Sequence, residues 1–271
     1  MLKLNLILAI ICYSVVLIFA FLMIYRVELK IYWKRIKLLL YIGFAAHTFG
    51  LMSYFVLKNH FPIISNIEAL LLMSWLLVPL ILFIEWKNRS MIMSVVLLPF
   101  VILALFAILI INSPMAFLSP KLKSYWMYIH VPTSLLAILF LFISFGASLM
   151  YLVQNNAIKL KKPGFLYDKL PSLAQCDLIN YNSIWIGFIL ISIGMISGML
   201  WSKKCFGEFW QWDIKEILTL LVWIVYLIIL IYRLYMKWTA KIIAYLSIIG
   251  FLLILITFLG YAYISKSYHS F

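Results

Sequence analysis

The chain has 271 residues, 67% of them hydrophobic and only 11% charged. Soluble domains run about 45–50% apolar and about 25% charged, so this chain has too little polar surface to coat a water-soluble particle, and its three cysteines are too few for a disulfide scaffold. Lys and Arg number 22 against 8 Asp and Glu, a net charge of +14; in so apolar a chain that surplus reads as membrane topology and contact with anionic lipid, with no nucleic-acid partner.

A membrane-spanning helix needs about 20 apolar residues. Candidate spans fall at about 5–25, 38–57, 67–84, 91–111, 131–153, 183–201, 217–235 and 242–263. The predicted fold is an all-α integral membrane protein. It is a bundle of about eight transmembrane helices in a single polytopic domain over residues 1–271. Pro79 and Pro99 lie well inside spans, where membrane helices tolerate them. The first span is followed by Tyr25-Arg26 and no small-residue cleavage site, so it reads as an uncleaved anchor.

The basic residues are sided. Loops after the first, third, fifth and seventh spans carry 14 of them, including Arg26, Arg35, Arg89 and Arg233, against 8 on the opposite side. The positive-inside rule then places both termini on the outer, periplasmic or lumenal side. The basic loop beginning Lys159-Leu160-Lys161-Lys162 reads as an inner contact with anionic lipid.

Few polar residues remain. His60, His130 and His269 fall on the predicted outer side, His130 just before Pro132 at the mouth of span five. His47 lies near the middle of span two, roughly 15 Å deep at 1.5 Å per residue. A mid-membrane ionisable group is a functional hypothesis by default, with an interhelical hydrogen bond as the alternative. Between spans six and seven, an outer loop at about 202–216 contains Phe206, Gly207, Phe209, Trp210, Trp212, Asp213 and Glu216. Aromatics at headgroup level can form an interfacial belt, and Asp213 with Glu216 has the N-cap and N3 pattern of a helix start. Neither explains why the rings cluster around a glycine. Flat rings beside a flexible turn suit a flat apolar ligand, and neutral imidazoles on the same side suit haem iron.

The stretch Gly207-Glu208-Phe209-Trp210-Gln211-Trp212-Asp213-Ile214-Lys215-Glu216 resembles the tryptophan-rich "WWD" signature of the haem-handling cytochrome c assembly proteins. Three further stretches resemble the CcsA/ResC branch, known as system II. They are His60-Phe61-Pro62 with Ser65-Asn66-Ile67-Glu68, Ile129-His130-Val131-Pro132, and the terminal His269-Ser270-Phe271. Together they span most of residues 43–271, in order.

The resemblance implies cytochrome c biogenesis. Haem b, bound in transit, would lie on the loop with His130 and His269 as axial iron ligands. A ResB-type membrane partner would help attach it by thioether bonds to the C-x-x-C-H of apocytochrome c. The chain would be the haem-handling subunit of a cytochrome c synthase. The implied location is a bacterial inner membrane, with a thylakoid membrane as the alternative. The competing function is a multi-span transporter exporting haem or another hydrophobic solute. Phe206 and Ile214 replace the signature's first tryptophan and its proline. Ile231 stands where the family places a histidine linked to an inner haem site, with His47, Tyr232 or ligands from the membrane partner as candidate substitutes.

Overall fold

A computed structural model describes residues 1–58, 60, 65–88, 92–111, 124–160, 170–235 and 239–257. Those residues are helical apart from short connections, with no strand among them. Seven helices are long and apolar enough to cross a membrane, and a further apolar helix is described over Ala240–Leu255. The protein is an integral membrane protein. The part of the expected eighth span beyond residue 257 lies outside the described residues. Helices solve the membrane problem because every backbone N–H and C=O must be paired where no water is available. They gather into two compact units.

The first unit contains α1 (Leu2–Tyr25), a 3-10 segment at Val27–Tyr32, α2 (Trp33–Lys58), α3 (Asn66–Asn88) and α4 (Ile92–Ile110). Lipid is as apolar as a leucine side chain, so membrane helices associate where small residues allow close approach. Along α2, Ile36, Leu40, Gly43, His47 and Gly50 form a buried stripe. A Cβ on Gly43 would lie 2.8 Å from Tyr13 Cε1 of α1, and one on Gly50 would lie 2.7 Å from Leu6 Cδ2. Polar side chains then close the helix ends. Ser65 Oγ accepts from Glu68 N at 3.2 Å, and Glu68 Oε2 accepts from Ser65 N at 3.3 Å. This reciprocal cap starts α3. Glu68 Oε1 also accepts from Tyr54 Oη at 2.8 Å, which ties in the end of α2. Glu85 of α3 accepts from the Ser94 backbone at 3.3 Å near the start of α4. Pro79 and Pro99 sit inside α3 and α4, as expected.

The second unit contains α5 (Tyr125–Lys159), α6 (Leu173–Phe206), α7 (Ile214–Tyr235) and α8 (Ala240–Leu255). The first two are much longer than the spans read from hydropathy, at 35 and 34 residues. At 1.5 Å per residue each runs about 50 Å, well beyond a hydrocarbon core of about 30 Å. Pro132 therefore lies inside α5. Thr133 Oγ1 beside it donates to the carbonyls of Ile129 and His130, at 2.7 and 3.1 Å.

Helices α5 and α6 pack antiparallel in one fixed register. A Cβ on Gly187 would strike Leu141 Cδ2 at 2.6 Å, one on Gly194 would strike Ser134 Oγ at 2.6 Å, and one on Gly198 would strike His130 Nδ1 at 2.8 Å. Further along, Asn180 Nδ2 donates to Ser148 Oγ at 2.7 Å. The two residue numbers of each pair add to the same total, so the contact is continuous without a slip. Asn180 Nδ2 also lies 3.0 Å from Ser144 Oγ and 3.1 Å from Ser247 Oγ, joining α5, α6 and α8. At the end of this unit remote from His130, Arg233 of α7 forms a two-pronged pair with Asp177 of α6, at 2.8 and 2.7 Å.

Candidate functional site

His130 is held by the glycine-lined face of α6. Its Nδ1 lies 2.7 Å from the Gly194 carbonyl oxygen. A carbonyl only accepts, so Nδ1 carries the proton and donates it. The other nitrogen, Nε2, then keeps its lone pair. An imidazole that gives one N–H to a backbone carbonyl is oriented and made more basic as a metal ligand through the other nitrogen. The ring of Trp201 lies 5.7 Å from the His130 ring, tilted by 38°. Gly194, Gly198 and Trp201 are spaced to share one face of α6. The donor chemistry of His130 fits an axial ligand to haem iron.

From Trp201, α6 continues to Phe206, roughly 8 Å further along its axis. The non-helical connection is therefore 207–213, shorter than the expected 202–216. Its entrance is Gly207, in the left-handed region at φ 91°, whose N–H donates to Lys203 O at 3.0 Å. That helix ending requires a residue free of a Cβ penalty. Lys203 Nζ donates to Gly207 O at 2.6 Å and lies 5.2 Å from the Phe209 ring centre.

The exit of the loop is built from its acids. Asp213 Oδ1 accepts from Glu216 N at 2.7 Å, the cap expected for α7. Glu216 Oε2 reaches back and accepts from Gln211 N at 2.7 Å and Trp212 N at 2.8 Å. Trp212 has φ 60° and is the one non-glycine residue with positive φ among those described. The left-handed region costs an ordinary residue roughly 1–2 kcal/mol, so such a conformation persists only where its surroundings impose it. The result is an outward ring: Trp212 is 71% exposed. Phe206 and Phe209 are exposed beside it. Trp210 meets Trp212 edge to face, with centres 6.1 Å apart at 74°, and its Nε1 is buried without a hydrogen-bond partner. Asp213 and Glu216 thus shape the loop, while the aromatics present its surface.

The remaining expected residues are described each in its own surroundings. His269 lies outside the described residues. His47 belongs to the first unit, fully buried, with Nδ1 3.4 Å from Tyr13 Oη and Nε2 unpartnered. His60 lies 3.6 Å from the buried Glu68 carboxylate, in the first unit as well. Ile231 is on α7, 43% exposed. No group of three or more His, Cys, Asp or Glu with metal-binding geometry occurs among the described residues. The seat formed by Gly194, Gly198 and Trp201 was missed by sequence reasoning. Its signal was the small-x-x-x-small spacing Gly194 to Gly198.

Residues 63–269 match the family model described as "Cytochrome C assembly protein". The chain is similar to several proteins named "Cytochrome c biogenesis protein CcsA". That of Guillardia theta is 28% identical over 276 residues, covering 90% of this chain and 92% of that protein. That of Trieres chinensis is 30% identical, covering 82% and 81%. That of Prochlorococcus marinus strain MIT 9312 is 28% identical, covering 83% and 80%.

Proposed function

This chain belongs to the cytochrome c assembly protein family, its role lies in cytochrome c biogenesis, and from that premise we propose that it binds haem b at the outer face of its membrane and presents it for thioether attachment to apocytochrome c. The observation that carries this reading is the 2.7 Å contact between His130 Nδ1 and Gly194 O. The Nδ1 proton is committed to Gly194 O, which leaves Nε2 to hold iron. Haem supplies the vinyl groups that become thioether bonds.

The chain's own residues supply binding and position. His130 and His269 would hold the haem iron. Trp212, Phe209 and Phe206 offer flat apolar surface to the porphyrin, and Trp210 braces Trp212 from within the loop. Glu216 and Asp213 keep those rings presented. Positioning haem beside the two thiols of C-x-x-C-H provides the proximity that the bond-forming step needs. The 14-to-8 siding of basic residues supports placing the loop outside, with both termini. A ResB-type protein is the proposed membrane partner, and a bacterial inner membrane the proposed location. His47 is the candidate ligand for a separate inner haem site, and the described part of the second unit offers His130 as its one histidine.

The test is optical. The wild type should purify coloured, with the spectrum of bis-histidine haem. His130→Ala and His269→Ala should each lose most of the haem, and added imidazole should restore it. Unchanged spectra in both variants would sink the ligand assignment.

A further inference from the structure

We propose that Gly194, Ser197 and Gly198 of α6 are positioning residues for His130, setting its orientation, its tautomer and, through these, the reduction potential of the iron it holds. This rests on His130 being a haem ligand.

The two glycines bring the imidazole and the α6 backbone together. A Cβ on Gly198 would lie 2.8 Å from His130 Nδ1 and 2.9 Å from Cε1. The ring therefore lies against backbone where any larger residue would displace it. Gly194 admits the next turn of α5, since its Cβ would meet Ser134 Oγ at 2.6 Å. With both helices this close, His130 Nδ1 reaches the Gly194 carbonyl at 2.7 Å. Trp201 closes the seat, its ring 5.7 Å from the imidazole.

Ser197 shares that carbonyl. Its hydroxyl oxygen lies 3.0 Å from Gly194 O and 2.7 Å from Ile193 O, and Ser197 is buried. The hydroxyl proton is thus divided between two carbonyls. Whatever share reaches Gly194 O weakens that oxygen as an acceptor for His130. A stronger Nδ1–H bond pushes electron density toward Nε2 and favours ferric iron; a weaker one favours ferrous iron. Ser197 is therefore a brake on the basicity of His130. Ser197→Ala removes the brake and nothing else shown at this seat, because both partners of its hydroxyl are α6 backbone carbonyls.

The experiment is a redox titration of the purified, haem-loaded protein, with optical spectra of both oxidation states. Ser197→Ala is expected to retain its haem and to shift the midpoint to more negative potential. Ser197→Thr, which keeps the hydroxyl, is expected to hold the wild-type midpoint. Gly198→Ala is expected to lose haem, with recovery on adding imidazole. A wild-type or more positive midpoint in Ser197→Ala, with haem still bound, overturns the proposal. So does full haem retention with an unaltered spectrum in Gly198→Ala. Failure of the ligand assignment itself looks different, because then His130→Ala would leave the spectrum unchanged.

Discussion

The Glu216 carboxylate accepts the backbone N–H of Trp212 at 2.8 Å and so holds the most exposed ring of the loop in a left-handed backbone conformation. The same oxygen takes the N–H of Gln211 at 2.7 Å. Bonds to an ionised acceptor are roughly twice as strong as neutral ones. Glu216→Ala should therefore release both amides, and their hydrogen exchange should accelerate by about tenfold, corresponding to ~1.4 kcal/mol. Haem retention should fall with it. Glu216→Gln, which keeps an acceptor oxygen, should fall between. Full haem retention and unchanged exchange in Glu216→Ala would refute a shaping role.

Arg233 grips Asp177 with two nitrogens, and its guanidinium lies 4.4 Å from the Tyr181 ring centre. Lysine keeps the charge but loses the fork and the flat stacking face. Arg233→Lys is expected to lower stability by roughly 1–2 kcal/mol. Detergent unfolding curves, with Asp177→Asn as the second arm of a double-mutant cycle, measure the coupling between the two. A coupling near zero would mean the pair does not hold α6 to α7.

The buried amide of Asn180 binds serines of α5 and α8. Hydrogen bonds between membrane helices average about 0.6 kcal/mol and reach about 1.7 kcal/mol. Asn180→Ala should cost about 1–2 kcal/mol in unfolding assays. Asn180→Asp should cost more, because a carboxylate would replace the donor and bury a charge among acceptors. Equal stabilities for the two variants would contradict this reading.

In the first unit, Gly43→Ala would drive a methyl group to 2.8 Å from Tyr13 Cε1 and 2.9 Å from Cys12 Cβ. Overpacking typically costs 1–3 kcal/mol, so the expected result is a lower unfolding midpoint of about that size. Thermal unfolding of the variant against wild type measures it. An unshifted midpoint would show that α1 and α2 yield freely.

Much of this arrangement is written in the chain. Hydropathy located the spans, because hydrocarbon demands uninterrupted apolar side chains. The Asp213 and Glu216 pattern announced the start of α7 for the reason the structure gives, a capped N-terminus. Helix ends were less legible. Polar residues such as Gln154 and Lys203 lower the hydropathy of α5 and α6 near their ends. The backbone ladder continues through them, since a helix emerging into water needs no apolar face on every side. Hydropathy consequently assigns residues 202–206 to the loop, where the structure continues α6 through Phe206. The left-handed Trp212 had no signal of its own, because that conformation belongs to glycine or asparagine by preference; the carboxylate four residues later imposes it. The glycine spacing of α6 was visible, but nothing in the sequence says that a histidine of another helix lies across it.

The shared register of α5 and α6 makes the stretch from His130 to Ser148 a gauge of fixed length. Ser148 is anchored at one end by Asn180, and His130 rests on Gly198 at the other. One inserted or deleted residue between them would turn everything beyond it by about 100° around the axis. The imidazole would then leave its glycine while the serine stayed anchored. Variation in chain length is consequently admissible in the connections between helices and forbidden along this stretch, even at positions whose side chains touch nothing of consequence.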